Sequence, residues 1–392
     1  MFKKIAIASL ACLGTLSLAS ASAAETSKPV RIGFITTLST PAGYIGEDQR
    51  DAFKLAIDQG GGKLGGVPVE MVLEDDGLKP ATGKQSAEKM LQEGIQLFTG
   101  INFSNVLMAA APAILKQGAF YVSLNAGPSQ FAGKRCDKNY FVASFENTSL
   151  HAAAGRAATE QGFKNVALLA PSYQAGRDAL EGFKRLYEGK VAVEIYTKLD
   201  QSDFSVELAR LRELAPDAIY QFHPGGAGIN FAKQFANSGM NKTIPMFLPV
   251  FSMDLRMIQA TGDAAEGVYS TALWSPLLDV PESKQFVEDF KKAYGRVPTH
   301  YGALAYDTAR LIASALQAVD GDLDRADEFR AALKRADFKS VRGNFAFDTN
   351  QHPIQDYYLT KIERNADGQL MPTVMSKVLS NQKDAFAAEC QM

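Results

Sequence analysis

From Val30 onward, the hydrophobic positions fall into short apolar runs separated by longer amphipathic stretches. Val30–Ile35 reads VRIGFI, a near-continuous apolar run of the kind found in strands covered on both faces. After the loop Thr40-Pro41-Ala42-Gly43-Tyr44-Ile45-Gly46 the period becomes helical, with Ala52, Leu55 and Ala56 on one face of a helix over 48–58. The same alternation predicts strands at 67–74, 95–99, 119–123, 164–170, 190–196, 217–222 and 244–250. It predicts helices at 80–93, 105–117, 149–161, 175–188, 203–214 and 228–238. Strands alternating with helices imply an α/β protein with parallel sheets and helices on both faces. There are too many such units for one sheet of ordinary size, so two lobes are expected. The chain would pass between them near Phe145-Glu146-Asn147, again over 268–280, and a third time in the hairpin-like tail 345–363. That places 29–145 and 276–348 in one lobe, and 146–275 and 349–392 in the other.

Composition changes this picture little. The 392 residues are 46% hydrophobic and 21% charged, which suits a soluble chain with a sizeable core. The net charge of −2 is too small to suggest nucleic acid or an acidic membrane surface as partner. The N-terminus is different in kind. Lys3 and Lys4, the apolar stretch Ile5–Leu18 and the small residues Ala21-Ser22-Ala23-Ala24 read as a secretory signal peptide over 1–24, cleaved after Ala23 or Ala24. Its apolar run is shorter than the roughly 20 residues a membrane span needs, which disfavours a retained anchor. A periplasmic location is therefore expected. Removal of the leader, with Cys12, leaves Cys136 and Cys390. In an oxidising compartment a disulfide between them is expected, with two separate thiols as the alternative.

Several motifs dissolve on inspection. Gly60–Gly65 matches G-x-G-x-x-G but follows a helix and precedes a strand, the reverse of a dinucleotide site. Asp320-Gly321-Asp322-Leu323-Asp324 opens like a calcium loop, but Arg325 and Ala331 stand where Gly and Glu are needed. His151, His223, His300 and His352 show no metal-ligand spacing, and no nucleophile grouping emerges. Neither an enzyme nor a cofactor or metal is expected.

What remains is a set of loops at strand ends. Gly100-Ile101-Asn102-Phe103-Ser104-Asn105 leads from a strand into a helix, with Ser104 placed as N-cap. Helix N-termini favour carboxylates, so the same residue is a candidate anion anchor. Ser123-Leu124-Asn125-Ala126-Gly127-Pro128 follows the next strand, and its small residues would let backbone N–H groups approach an anion. Both loops lie where ligands bind in open α/β sheets.

These loops, the early strand with its Gly/Pro loop, Gly262–Gly267 (GDAAEG) and Tyr301–Leu316 (YGALAYDTARLIASAL) carry a resemblance over essentially the whole chain after the leader. The chain resembles the substrate-binding proteins of the branched-chain amino acid (Leu/Ile/Val-binding) class of ABC transporters. The resemblance implies a type I periplasmic-binding-protein fold: two doubly wound lobes joined by three crossovers and closing on a small ligand. It further implies delivery to a membrane permease without chemistry, and a monomer is expected.

In the amino-acid binders of this class, the residue at the position of Ser104 holds the substrate carboxylate, helped by a Thr on the loop matching 125–127. This sequence has Gly127 there. The acid that meets the substrate ammonium would fall at Val250, or at Phe251 after a one-residue slip, and neither is charged. A buried ammonium without a counter-charge is costly. The expected ligand is therefore a carboxylate lacking an α-amino group, most simply a benzoate or phenylpropanoid acid. Ser104 with the amides of Ala126 and Gly127 would hold the carboxylate, beside Asn125. Phe103, Tyr44, Tyr173, His223, Val250, Phe251, Tyr301 and Trp274 would surround the ring, near Ala175. Branched-chain amino acids, short aliphatic acids and amides are the alternatives within the class. A periplasmic sensory module is the alternative outside it.

Overall fold

The computed structural model describes residues 1–2 and 28–392, so the leader from Lys3 onward, with Cys12 and the expected cleavage site, lies outside the described residues. Two sheets form. The first contains β1 (Val30–Thr36), β2 (Lys63–Leu64), β3 (Val67–Asp75), β4 (Leu97–Thr99), β5 (Phe120–Ser123) and β6 (Tyr140–Val142), in the order β2-β3-β1-β4-β5-β6. Apart from the hairpin of β2 with β3, its strands are parallel.

The second sheet contains β7 (Asn165–Pro171), β8 (Lys190–Thr197), β9 (Ala218–Gln221), β10 (Met246–Pro249) and β11 (Tyr269–Ala272) as a parallel set. Antiparallel strands β12 (Phe345–Phe347), β13 (Pro353–Arg364) and β14 (Leu370–Gln382) complete it. The order is β12-β13-β11-β10-β9-β7-β8, with β14 also on β13. The fold is the two-lobe α/β architecture that the resemblance implies.

Element boundaries follow local chemistry. The first helix of the second lobe starts at Asn147, earlier than the expected 149. Glu146 precedes it and accepts the backbone N–H groups of Thr148 and Ser149, a capping arrangement. The buried three-residue strand β6 carries too little pattern to announce itself. β12 pairs in the second sheet, so the third passage between lobes comes before Phe345 and the expected limit at 348 falls too late.

The segment from 281 to 335 returns to the first lobe as three helices, Pro281–Tyr294, His300–Ala318 and Ala326–Arg335. Arg296 pairs there with Asp48 and Asp51, both at 2.6 Å. The passages are tied together by Arg342, which is buried with Asp307 in an ion pair of 2.9 Å. Its guanidinium also donates to the carbonyls of Ala143 and Ser144 in the first passage and to Gln355 on β13.

Each sheet reverses its direction of winding once. In the first, connections leave β1 and β4 in opposite directions. In the second, they do so at β7 and β9. Such switch points open a crevice at the carboxyl ends of the strands. Here both crevices face the same gap between the lobes, because residues following β4, β7 and β9 line one cavity.

Cys136 and Cys390 are joined, with an S–S distance of 2.10 Å and a sequence separation of 254. Cys136 precedes β6, and Cys390 lies in the tail beyond β14. The bond closes a very long loop. Replacing Cys390 by Ser is expected to lower unfolding free energy by about 2–5 kcal/mol. Urea denaturation with and without reductant measures this, and an unchanged midpoint would show that the bond adds no stability.

Candidate functional site

The cavity between the switch points has about 40 Å³ of free space. Its first-lobe side is built by Asn102, Phe103 and Ser104 after β4 and by Asn125 and Ala126 after β5. Gly100, at φ +111°, makes the turn that aims the first of these loops; a Cβ there would lie 2.4 Å from the carbonyl of Ile35. The helix that follows, Ser104–Lys116, has Phe103 as its N-cap and no side-chain cap. Ser104 is therefore the first helical residue and not the cap expected from sequence. Its hydroxyl is free of the capping role and the helix's first amides stay open.

The direction of the Ser104 hydroxyl follows from its partner. Asn147, at the start of the second lobe, donates its amide to Ser104 Oγ at 3.2 Å and to Asp178 at 2.9 Å. Ser104 Oγ accepts from Asn147, so its own proton is available to the cavity. Close by, both side-chain atoms of Asn102 and Oδ1 of Asn125 are buried without a protein partner. Buried polar atoms are rarely left alone, so this corner has hydrogen-bonding capacity that the protein itself does not use.

Aromatic groups make the opposite wall. Tyr173 stacks on Phe222 at 6.3 Å after β7 and β9. Phe251 packs on Phe145 at 4.6 Å and on Tyr301 at 5.5 Å. Between the two sides, Asn147 and, one helical turn on, His151 line the cavity from the first helix of the second lobe, and Ala175 leaves room beside Tyr173. Among the described residues no Asp, Glu, Lys or Arg lines the cavity.

The expected site residues thus divide. Ser104, Asn125, Ala126, Phe103, Tyr173, Phe251 and Tyr301 come together around the cavity. Gly127 does not reach it: its N–H goes to Asn147 Oδ1 at 3.2 Å, and a Cβ would lie 2.0 Å from the carbonyl of Phe145. That crowding leaves no space for a side chain at this position. Val250 sits in the short turn Val250–Ser252 and faces a smaller separate cavity with Trp274, His300 and Thr299. Phe251, one residue on in the same turn, lines the cavity between the lobes instead.

Trp274 belongs to the core, with Nε1 donating to Ser283 at 2.8 Å and the ring against Phe286. His223 is likewise buried between Phe204 and Phe231 and bonded to Thr197 and Gln221. It belongs to the core of the second lobe.

Tyr44 has another role. Its hydroxyl donates to Asp254 Oδ2 at 2.7 Å, across the lobes. Arg256 lies over the Tyr44 ring at 4.9 Å and pairs with Glu47 at 3.1 Å. Together these make a latch beside the cavity. Asn147, His151, Phe145 and Phe222 line the cavity without having been expected there. The extended backbone before a predicted helix could have flagged Asn147 alone.

Asp254 and Asp178 are the acids bonded to groups at the cleft, and both are committed. Asp254 accepts from Tyr44 and caps helix Leu255–Thr261 through the amides of Arg256 and Met257. Asp178 accepts from Ser129, Gln174 and Asn147.

Comparison with known proteins gives the chain's family. A family model described as periplasmic binding protein matches residues 29–369. The chain is 30% identical over 378 residues to Leu/Ile/Val-binding protein homolog 6 of Brucella melitensis, covering 93% of this chain and 94% of the relative. It is similar to an ABC-transporter solute-binding protein of R. palustris solved in complex with benzoate (TM-score 0.88, 28% identity, 93% of this chain and 100% of that one). It is also similar to a solute-binding protein of Rhodopseudomonas palustris BisB5 in complex with 3,4-dihydroxybenzoic acid (TM-score 0.83, 28% identity, 91% and 99%).

Burial pushes the Asp254 carboxyl up to about 6, although the Tyr44 hydroxyl and the capping amides work against the rise. An acid whose folded value exceeds its unfolded value binds its proton more tightly when folded. Its contribution to stability is complete below about pH 4 and is lost, by about 3 kcal/mol, as pH rises through about 6. Asp254→Asn should flatten this part of the stability profile, measured by urea denaturation between pH 4 and 7. An unchanged slope would assign it to other groups.

Proposed function

Because the chain belongs to the periplasmic binding protein family, we propose that the solute it captures for an ABC permease is an aromatic monocarboxylate of the benzoate or phenylpropanoid type. Proteins of this family and fold bind a small solute and pass it to the permease without chemistry, and the family is one exported to the periplasm. We further propose that the leader is removed near Ala23 or Ala24, that the protein works as a monomer, and that the cleft takes a ring.

The observation that carries the reading is the uncharged cavity, with its donors gathered at one corner and aromatic rings opposite. A carboxylate would take the Ser104 proton, the open amides of its helix and the Asn102 amide. Helix N-termini hold such anions without a formal positive charge. The ring would lie among Tyr173, Phe251, Phe222 and Tyr301, where offset and edge-on packing adds to burial. An α-ammonium would lack a partner, since no acid lines the cavity and Asp254 and Asp178 are already bonded. The relatives solved with benzoate and dihydroxybenzoate support the same ligand class.

The second reading, a branched-chain amino acid, is favoured by the name of the Brucella relative. It requires Asp254 to leave Tyr44. A ligand that contacts both lobes favours the closed state by its differential affinity for it.

A thermal-shift panel separates the two. At about 100 times its dissociation constant, a ligand adds roughly 2.7 kcal/mol of stability. Benzoate and hydroxybenzoates should raise the melting temperature, and leucine and valine should not. A shift with leucine alone overturns the aromatic reading. Ser104→Ala should weaken benzoate binding about 10- to 100-fold by calorimetry, as expected for one lost hydrogen bond to a charged group.

A further inference from the structure

The imidazole of His151 is fixed in one tautomer by a neighbour that has no other choice. Nδ1 meets the hydroxyl of Tyr220, and both side chains are buried. Among the described residues the Tyr220 hydroxyl makes no other hydrogen bond. If it accepted a proton from Nδ1, its own O–H would be stranded in an apolar setting, against the rings of Phe183 and His151. A stranded buried donor costs more than a filled one, so the tyrosine donates and Nδ1 accepts. The ring proton then sits on Nε2. Nε2 has no protein partner among the described residues, and the ring borders the ligand cavity. Burial also pushes the imidazole down to about 3, so the ring stays neutral near pH 7.

The position of this donor is informative. His151 follows Asn147 by one turn of helix Asn147–Glu160, so the two side chains are neighbours on one face. Asn147 touches Ser104 Oγ. Ser104 belongs to the first lobe and His151 to the second.

We propose that His151 Nε2–H is the second-lobe donor to the ligand's carboxylate, taking one oxygen while the Ser104 hydroxyl takes the other. This rests on the carboxylate reading given above. The anion is then shared between the lobes, and its binding draws them together. This donor serves any carboxylate, and rejection of α-amino acids rests on the acid the cavity lacks.

The test combines ring nitrogen NMR with calorimetry on the leaderless protein. In ¹⁵N-histidine spectra of the ligand-free protein, His151 should carry its proton on Nε2. Tyr220→Phe should release that preference into a mixture of tautomers. The double variant His151→Leu/Tyr220→Phe replaces the polar pair by an apolar one and should keep the wild-type melting temperature within a few degrees. It should bind benzoate about 10- to 100-fold more weakly, as for loss of one charge-assisted bond. Benzoate affinity within twofold of wild type in that folded variant, or a proton on Nδ1 in the free protein, overturns the proposal. Wild-type binding of leucine in place of benzoate overturns the functional reading instead, and the ring spectrum still decides the tautomer.

Discussion

A guanidinium buried between the lobes sets the geometry of everything around it. Arg342 lies out of water, and its charge is tolerable there only because acceptors meet it on several sides. The Asp307 carboxylate comes from the first lobe, two carbonyls from the first passage, and Gln355 from the second sheet. Each acceptor has to stay within hydrogen-bond reach, so the passages are held in register with each other. Because the passages are fixed, the two sheets point the carboxyl ends of their strands at one gap. The cavity and its loops inherit their positions from that arrangement.

With the proposed carboxylate as solute, the gap solves an electrostatic problem by restraint. A basic side chain would hold an anion strongly but would also hold it in the open form. Partial charges at an uncapped helix end and neutral donors bind more gently, and several of them must converge before they suffice. Convergence requires closure. The lobes share this task unevenly. The first gives the helix end and the asparagines, and the second gives most of the rings. Outside the cavity, the contact of Tyr44 with Asp254 joins the lobes on the same face.

Much of the fold was legible because parallel strands buried on both faces and amphipathic helices leave distinct periods in the chain. β1, β3 and β7 through β10 fall close to their apolar runs. β6 and β12 were not legible, since three residues define no period. At the site, sequence position identified loops at strand ends, and hence Ser104 and Asn125, while Tyr173 came in only beside Ala175, a position matched through the family resemblance. It could not tell rings that face the cleft from rings that face the core, as Trp274 and His223 show. Nor could it foresee that the turn at Val250 would send Phe251 to the cavity. His151 was passed over because its role depends on Tyr220, a residue 69 positions away that only folding brings alongside.

The bond between Cys136 and Cys390 has a mechanical meaning as well as a thermodynamic one. It joins the first lobe, just before β6, to a tail that hangs from the second sheet. That tail is pinned nearby, with Asp384 bonded to Asn350 and Phe386 beneath Arg185. The lobes are therefore connected by three passages of backbone and one strap of sulfur. A body held by four tethers can swing about the line they define, but it cannot readily slide or twist away from it. The sulfur strap thus adds a covalent tether across the gap that the backbone passages alone do not supply.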